Sequence, residues 1–301
     1  MLLNDIDAII IGGPTASGKT EIAHELAKLL NTEIISADSM CVYKFMNIGT
    51  AKPSLEKRKE IKYHMIDIVL PNEYFDVYMY VEKATNLIKA IKEKGKIPIV
   101  VGGTYLYIQA LLYGLPQTSE PDFELRKKLE NIANKKGLNF LYQKLKTIDK
   151  DYAKKIGPQD KKRIIRALEV FINTGKPFSS FHQWKTPKLN VLGFYTNLTQ
   201  EELNKNIEKR TIYMIEQGLE LECINLLCLG YENAMTSSQA IGYKEMIPYI
   251  KGKISLEEAI NNIVKNTKEY ASRQRRWFQK TGFIPIRSLE DIKNHLLSLG
   301  L

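Results

Sequence analysis

The chain has 301 residues and a net charge of +10, with 44% apolar and 26% charged residues, a composition typical of a folded soluble protein of one or two domains. No apolar run reaches the about 18 residues of a membrane-spanning helix, and the first residues carry Asp5 and Asp7 without a basic stretch, so we expect neither a membrane span nor a secretion signal. The three cysteines lack a CxxC spacing, which argues against a disulfide framework or a zinc site and favours the reducing cytoplasm.

Strands and helices are predicted to alternate along the first 117 residues. Short apolar runs predict buried strands at residues 6–11, 33–37 and 97–101, and helical spacing of apolar residues predicts helices at 19–30 and 81–94. Parallel strands that are joined by helices form a sheet covered on both faces. The predicted fold class is therefore α/β, with a parallel sheet and helices on both of its faces.

A glycine-rich loop lies between the first predicted strand and the first predicted helix. Its sequence, GPTASGKT, fits the pattern G-x-x-x-x-G-K-[ST] of a P-loop in the required strand–loop–helix context. In such a loop, backbone N–H groups and the helix N-terminus surround a phosphate, the lysine adds charge, and the last hydroxyl holds Mg²⁺. The motif indicates a diphosphate or triphosphate and does not identify a nucleotide. The predicted phosphate-binding residues are Gly13, Pro14, Thr15, Ala16, Ser17, Gly18, Lys19 and Thr20, with Thr20 as the magnesium ligand.

Polar residues follow the other two predicted strands at the same edge of the sheet. Ligands of open α/β sheets bind at the carboxyl ends of the strands. Asp38 therefore faces the P-loop, either as a general base or as a helix cap or a carboxylate behind a magnesium ion. The pair Gly102–Gly103 permits close approach of a ligand or a tight turn. Thr104 either takes part in the site or caps a helix that begins at Tyr105.

The character of the sequence changes after residue 117, where lysine-rich helical patterns replace the strands. Residues 118–190 carry 17 basic and 8 acidic residues, whereas residues 1–117 carry 13 of each and residues 191–301 carry 14 and 13. The central segment is either a solvated lysine-rich surface or an insertion that binds a polyanion. We expect residues 1–117 and 191–301 to form the catalytic domain, and residues 118–190 to form an inserted helical domain.

The last part of the chain is predicted to return to the sheet and then to end in a helix. A strand is predicted at residues 192–198. Ser255 followed by Glu258 indicates a capping box, after which an apolar stripe at helical spacing continues to Ala271. The stretch SRQRRWF then either binds nucleic acid, or complements the negative helix end while its aromatic rings pack in the core.

Four separated stretches resemble one family, the bacterial tRNA dimethylallyltransferases. They are GPTASGKT at residues 13–20, SADSMCVYKFMNIGTAKP at 36–53, VGGTYLYIQALLYGL at 101–115, and QAIGYKEM with TKEYASRQRRWF within 239–278. RALEVFINTGKP at residues 166–177 is also similar to the family. The resemblance spans the whole chain in order, and the second stretch is its most specific part because ordinary P-loop kinases lack it.

The resemblance implies a P-loop, NTPase-like domain that moves a dimethylallyl group from dimethylallyl diphosphate to the N6 amine of the tRNA adenine on the 3′ side of the anticodon, with Mg²⁺ and release of diphosphate. Asp38 would be the base on the amine, with Thr104 supporting it. Lys19 and Arg210 would bind the diphosphate with the rest of the P-loop. The insertion would grip the anticodon stem-loop of tRNA, and we expect a cytoplasmic monomer. The tRNA contacts implied are Asp38, Ser39, Met40, Cys41, Thr104, Gln159, Asp160, Lys161, Lys162 and Arg163.

Two positions depart from the family pattern. The family usually has glutamine where this chain has Cys41, and cysteine is shorter and a weak hydrogen-bond partner. Recognition of the target loop therefore differs there, or a neighbour compensates. The family also tends to carry two arginines near LNKNIEKRT. Here the first position is Asn206, which leaves Arg210 as the expected diphosphate contact.

Two other functions are compatible with parts of the sequence. A small-molecule or nucleotide kinase shares the P-loop, but it leaves the basic insertion and the Gly-Gly-Thr strand end unexplained. The hypothesis of a non-catalytic RNA-binding P-loop protein explains the insertion, but it leaves Asp38 without a role. Consumption of ATP separates the kinase from a transferase, and product analysis separates the binding protein from it.

Overall fold

A computed structural model describes residues 5–116, 118–181 and 186–298 of the chain. The described residues form two compact units, the first within Met1–Tyr113 and Pro187–Leu301, the second within Gly114–Thr186. We call the second unit the insertion. Gln117, the predicted domain boundary, and the first and last residues of the predicted catalytic domain lie outside the described residues.

The first unit is built on one parallel sheet. Its strands are β1 (Ala8–Gly12), β2 (Ile34–Ser36), β3 (Tyr63–His64), β4 (Ile99–Gly102), β5 (Val191–Thr196) and β6 (Ile284–Ile286). Their order across the sheet is β3-β2-β4-β1-β5-β6, and every neighbouring pair is parallel. Parallel pairing places the carboxyl ends of all strands at one edge of the sheet. The segments that follow the strands therefore meet at that edge.

Helices cover both faces of this sheet. The helices of both units, in chain order, are α1 (Lys19–Leu29), α2 (Leu55–Glu60), α3 (Val77–Lys92), α4 (Tyr105–Tyr113), α5 (Phe123–Lys136), α6 (Leu138–Ile148), α7 (Lys150–Lys155), α8 (Lys161–Thr174), α9 (Gln200–Glu216), α10 (Leu219–Cys228), α11 (Tyr243–Ile250), α12 (Leu256–Phe278) and α13 (Leu289–Ser298). Of these, α5 to α8 belong to the insertion. Alternate β1 residues face opposite sides: Ile9 and Ile11 pack with α1 and α13, whereas Ala8 and Ile10 belong to the core with α3, α4, α10, α11 and α12. Within the described residues, no helix has the length and apolar character needed to cross a membrane.

The insertion contains α5 to α8 and has a hydrophobic core of its own. Near that core lies Glu169, whose side chain is fully buried. Its carboxylate accepts hydrogen bonds from Arg126 Nε at 3.0 Å and from Arg166 NH1 at 2.7 Å. A buried carboxylate is tolerated only with such partners. The stretch at 166–177 therefore contains residues that stabilise the insertion, and Gly175 at its end closes α8 in the left-handed conformation.

The predicted α/β fold with a parallel sheet is confirmed, although several elements differ from the prediction. Helix α3 begins at Val77, four residues before the predicted start, because the Asp76 side chain accepts hydrogen bonds from the Tyr78 and Met79 N–H groups. Strands β3 and β6 were not predicted. With two and three residues they are too short to carry an alternating pattern.

Candidate active site

The carboxyl ends of β1, β2 and β4 bring three chain segments together. The register aligns Gly12 of β1 with Gly102 of β4, so the P-loop leaves the sheet beside the end of β4. A Cβ atom at Gly102 would lie 2.2 Å from the backbone oxygen of Ala37, directly after β2. Only glycine permits this approach. The segment that begins at Asp38 is thereby placed next to the P-loop.

The P-loop turns sharply between β1 and α1. Ala16 has a φ of 61° and Gly18 a φ of 80°, both in the left-handed region, which is uncommon for alanine. A Cβ atom at Gly13 would lie 2.0 Å from Thr196 Oγ1, so this position also requires glycine. The loop ends where α1 begins at Lys19. A glycine-rich turn at a helix N-terminus binds phosphate groups through its backbone N–H groups.

Side chains within and beside the P-loop fix its shape. The Lys19 ammonium donates a hydrogen bond to the backbone oxygen of Pro14 at 3.0 Å. The hydroxyls of Ser17 and Thr196 are 2.6 Å apart and buried. Thr20 lines a small cavity next to the loop. The lysine and the hydroxyl of Thr20 thus lie on the same side of the loop as the cavity.

Two side chains of α9 form hydrogen bonds with the P-loop. Arg210 NH1 donates to Thr15 Oγ1 at 3.1 Å, and Asn206 Nδ2 donates to the backbone oxygen of Ala16 at 3.0 Å. Asn206 stands where the resemblance to the family leads us to expect an arginine. In this chain it stabilises the strained backbone of the loop, and Arg210 supplies the cation.

Asp38 opens a turn that follows β2. Its Oδ1 accepts hydrogen bonds from the N–H groups of Met40 at 2.9 Å and Cys41 at 3.4 Å. Asp38 therefore caps a turn, not a helix. Its second oxygen, Oδ2, forms no hydrogen bond within residues 5–116, 118–181 and 186–298. One oxygen thus fixes the carboxylate and the other is available to a ligand.

Thr104 uses its side chain to hold this turn and not to cap α4. Its Oγ1 accepts a hydrogen bond from the Ser39 N–H at 3.0 Å and lies 3.3 Å from Ser39 Oγ. The Tyr270 side chain of α12 lies near Thr104, and burial raises the pKa of Tyr270 above its ordinary range. Thr104 therefore orients the residue directly after Asp38.

Two cavities meet at these residues. The larger has a volume of about 320 Å³ and the smaller about 60 Å³. The residues that line both are Thr15, Asp38, Thr50 and Arg210. The smaller cavity also has Lys19, Thr20, Ser36 and Cys41 in its wall. The larger cavity is lined by both polar and apolar side chains, which include Ser39, Met40, Ile207, Met214, Gln239, Ile241, Lys244, Ile263, Tyr270 and Arg273. Asp38 therefore lies at the junction of a small polar cavity and a larger mixed one.

The smaller cavity concentrates positive charge. Burial lowers the pKa of Lys19 to about 8, the Asp38 carboxylate partly offsets this, and the Arg210 cation lowers the pKa further. Burial also lowers the pKa of Arg210. Two cations thus share one carboxylate, and a bound anion would raise the pKa of Lys19 back towards its ordinary value. The cavity suits an anionic ligand such as a diphosphate.

Cys41 lies on the P-loop side of Asp38. The residue is only 6% exposed, and its thiol lies 3.9 Å from the backbone oxygen of Thr50. Burial, followed by the nearby Asp38 charge, raises the pKa of the Cys41 thiol well above its ordinary value, so the thiol stays protonated and unreactive. Cys41 lines the smaller cavity and is absent from the wall of the larger one. Its contact with tRNA stays a prediction.

The oxygen atoms beside the P-loop fit Mg²⁺ that is held largely by a substrate. The hydroxyls of Thr20 and Ser36 and the carboxylate of Asp38 line the same small cavity. Mg²⁺ commonly binds one or two protein oxygens together with substrate phosphates and water. Within the described part of the chain, no group of three or more His, Cys, Asp or Glu side chains could hold a metal alone. Phosphate oxygens would therefore have to complete the coordination.

Glu222 of α10 shapes the larger cavity, although no sequence pattern marked it. Its carboxylate accepts hydrogen bonds from three consecutive N–H groups, of Asn47 at 2.9 Å, Ile48 at 2.9 Å and Gly49 at 3.2 Å. It also accepts one from the Tyr243 hydroxyl at 2.6 Å. This clamp fixes the loop whose residues 49 and 50 line the cavity. Because its partners are mostly backbone groups, residue types alone give no signal for it.

Gln274 of α12 is a second residue that sequence reasoning missed. It is 1% exposed, its Oε1 accepts from the Thr15 N–H at 2.9 Å, and its Nε2 donates to the Gly103 oxygen at 2.7 Å. A signal did exist, because Gln274 lies on the buried stripe of the helix, three residues after Ala271 and four before Phe278. A polar residue on an apolar stripe indicates a buried partner.

The arginines and aromatic residues around Gln274 divide between core and cavity. Phe278 is fully buried, so the prediction that an aromatic ring packs in the core is confirmed for it. Arg275 Nε donates to the backbone oxygen of Leu198 at 3.1 Å. Arg273 lines the larger cavity, with its guanidinium 6.0 Å from the centre of the Tyr270 ring. Nucleic-acid binding by this stretch stays a prediction.

The predicted RNA contacts Gln159 to Arg163 lie in the insertion, at the start of α8. The Asp160 side chain caps the helix by accepting a hydrogen bond from the Arg163 N–H at 3.2 Å. Lys162 and Arg163 are exposed, and Lys161 lies 3.7 Å from Glu130. The basic side chains are therefore accessible from solvent.

A parallel sheet with a P-loop after its first strand and a cationic cavity beside it defines a P-loop α/β protein. The family model described as IPP transferase matches residues 41–281. The chain belongs to the IPP transferase family. The family resemblance found in the sequence is confirmed.

Individual relatives agree with this assignment over nearly the whole chain. The chain is 86% identical over 296 residues to the tRNA dimethylallyltransferase of Hydrogenobaculum sp. (strain Y04AAS1), an alignment that covers 98% of this chain and 99% of the relative. The solved tRNA delta(2)-isopentenylpyrophosphate transferase of Staphylococcus epidermidis superposes with a TM-score of 0.71, at 39% identity and 97% coverage of both chains. A solved structure described as a eukaryotic dimethylallyltransferase acting on tRNA gives a TM-score of 0.76, at 33% identity, and covers 90% of this chain and 69% of that one.

Proposed function

We propose that this chain transfers a dimethylallyl group from dimethylallyl diphosphate to the N6 amine of the tRNA adenine on the 3′ side of the anticodon. The observation that carries the proposal is the place of Asp38, at the junction of the two cavities. The cationic side of that junction suits a diphosphate, and the larger side suits a planar nucleobase. The transfer for which the relatives are named requires the donor and the adenine to meet at one general base.

The P-loop side binds the donor. Lys19 and Arg210 flank the smaller cavity, and the backbone N–H groups of the loop lie at the N-terminus of α1. Together they hold the diphosphate as a leaving group and stabilise the negative charge that it gains in the transition state. No phosphoryl group is transferred in this scheme. The Thr20 hydroxyl would hold Mg²⁺, which supplies additional positive charge to the diphosphate.

The larger cavity receives the adenine. A base in a folded RNA loop must leave its stack to enter a pocket. The adenine amine is a weak nucleophile because its lone pair is delocalised into the ring. Asp38 Oδ2 accepts a proton from this amine as the nitrogen–carbon bond forms and the carbon–oxygen bond to the diphosphate breaks. The hydrogen bond from the Ser39 N–H to Thr104 Oγ1 keeps the Asp38 carboxylate directed at the junction of the two cavities.

The insertion binds the RNA. Its segment of the sequence carries the excess of basic residues, and Lys162 and Arg163 are exposed at the start of α8. Such side chains neutralise phosphates of a polyanion. We further propose that the protein acts in the cytoplasm, where tRNA is found, and as a monomer, since one chain supplies all residues of the scheme.

The donor prediction separates a transferase from a kinase. Dimethylallyl diphosphate and tRNA together should release diphosphate without ATP, because Gly103 and Thr104 follow β4 in place of a carboxylate and the P-loop holds only a leaving group. Diphosphate is measured with a coupled assay, with reactions lacking tRNA as the control. An absolute requirement for ATP, with a phosphorylated product, would show that the chain is a kinase.

The insertion prediction concerns Lys161, Lys162 and Arg163. Replacing all three by alanine should weaken tRNA binding and lower the slope of log affinity against log salt by about one for each lost phosphate contact. Binding of dimethylallyl diphosphate should not change. Affinity is measured at several salt concentrations.

A matched variant controls for the loss of net charge. It replaces three exposed lysines of the first unit, Lys59, Lys83 and Lys89, by alanine. This variant should keep a salt slope close to that of the parent. If both triple variants have the same slope, the start of α8 makes no phosphate contacts and the insertion binds tRNA elsewhere.

A further inference from the structure

One buried amide connects the P-loop to the end of β4. Gln274 accepts a hydrogen bond from the Thr15 N–H at 2.9 Å and donates one to the Gly103 oxygen at 2.7 Å. Building on the function proposed above, we propose that Gln274 is a positioning residue, which sets the distance between the diphosphate-binding loop and the segment that orients Asp38.

The chemistry of the two partners requires a carboxamide at this position. Thr15 presents a backbone donor and Gly103 presents a backbone acceptor, and the side chain between them is 1% exposed. A primary amide carries one acceptor oxygen and an NH₂ donor in a single planar group. An apolar side chain would leave both backbone groups unpaired in a buried place. A carboxylate would lose the donor and bring a buried charge.

The glycine after β4 is explained by the same contact. A Cβ atom at Gly103 would lie 2.3 Å from Gln274 Nε2 and 3.1 Å from the backbone oxygen of Gly13. Three segments, α12, the P-loop and the end of β4, therefore converge at a point with no space for a side chain. The second glycine of the Gly-Gly pair serves this internal contact.

The contact joins the donor side of the site to its acceptor side. Thr15 receives the Arg210 hydrogen bond and lines both cavities. On the other side, Gly103 precedes Thr104, which fixes the Ser39 N–H next to Asp38. If the amide is lost, the P-loop and the Asp38 turn can shift relative to each other. A displacement of about 1 Å between reacting groups can cost about 10²-fold in rate.

The first experiment compares Gln274→Met with Gln279→Met. Methionine is close to glutamine in volume and has no amide, and Gln279 is exposed at the end of the same helix. Single-turnover transfer is measured with dimethylallyl diphosphate and tRNA both saturating. Gln274→Met should be slower by about 10–10²-fold, in line with a loss of alignment, and Gln279→Met should match the parent.

A double-mutant cycle with Thr104→Ala separates positioning from a general loss of structure. If Gln274 acts through the segment of Gly103 and Thr104, the effect of Thr104→Ala on the rate is smaller in the Gln274→Met background than in the parent. Independent multiplicative effects would overturn the inference. If Gln274→Met does not fold, Gln274→Asn replaces it, since the shortened amide reaches at most one of its two partners and should also lower the rate.

The outcomes distinguish this inference from the function on which it rests. An active parent and a folded Gln274 variant with the parent's saturating rate would overturn the positioning role alone. A parent that transfers nothing would overturn the proposed function and this inference together.

Discussion

Asp38→Asn lowers the single-turnover rate of dimethylallyl transfer by about 10²–10⁴-fold, the usual contribution of a positioned general base. The asparagine keeps an acceptor oxygen for the N–H groups of Met40 and Cys41, so the turn and the binding of dimethylallyl diphosphate should persist. It removes the basic oxygen that would receive the proton of the adenine amine. The rate is measured with both substrates saturating, and donor affinity is measured separately.

Asp76→Asn is the matched control for this prediction. Asp76 also accepts hydrogen bonds from two backbone N–H groups, but it does so at the start of α3, away from the walls of both cavities. The transfer rate of Asp76→Asn therefore shows the effect of losing an aspartate cap alone. If Asp38→Asn transfers within a few-fold of the parent and matches Asp76→Asn, then Asp38 is a structural cap and another group takes the proton.

Lys19→Ala should weaken donor binding and slow transfer together. The Lys19 side chain lines the small cavity beside the P-loop together with Arg210, so its ammonium would contact the diphosphate both before and during bond cleavage. Removing one preorganised charge from a developing anion costs about 10²–10³-fold in rate. The dissociation constant of dimethylallyl diphosphate and the saturating single-turnover rate are measured for the same preparation.

Lys28→Ala provides the comparison for Lys19. Lys28 lies in the last turn of the same helix, and its ammonium is 3.4 Å from Glu60 on the surface. This variant should bind the donor and transfer at the parent's level. If Lys19→Ala raises the dissociation constant without any change in the saturating rate, Lys19 binds the ground state and the transition state equally, and the leaving-group role would be wrong.

Features that depend on neighbouring residues could be predicted from the sequence. The P-loop is encoded in eight consecutive residues, and the structure places it between β1 and α1 as predicted. The sequence predicts Asp38 and Thr104 as site residues because each follows a buried strand, and parallel strands end at one edge of the sheet. The structure indeed brings these two residues and the P-loop together around one pair of cavities.

Features that depend on distant backbone groups could not be predicted. Glu222 binds three N–H groups more than 170 residues earlier in the chain, and Gln274 binds backbone atoms of Thr15 and Gly103. Any residue type supplies such backbone partners, so the partners themselves leave no pattern. The place of Gln274 on the apolar stripe of α12 indicates only that it has a buried partner. The role of Asn206 is similar, because only the folded chain places its amide next to the Ala16 oxygen.

The proposed transfer is tested by following the dimethylallyl group to its product. The protein is incubated with labelled dimethylallyl diphosphate, Mg²⁺ and tRNA, and the RNA is then digested to nucleosides. The label should appear on the N6 atom of one adenosine, and it should be absent when the adenine on the 3′ side of the anticodon is replaced by guanine. Label on another nucleoside, or no label in the RNA at all while the protein is folded, would show that the proposed transfer is wrong.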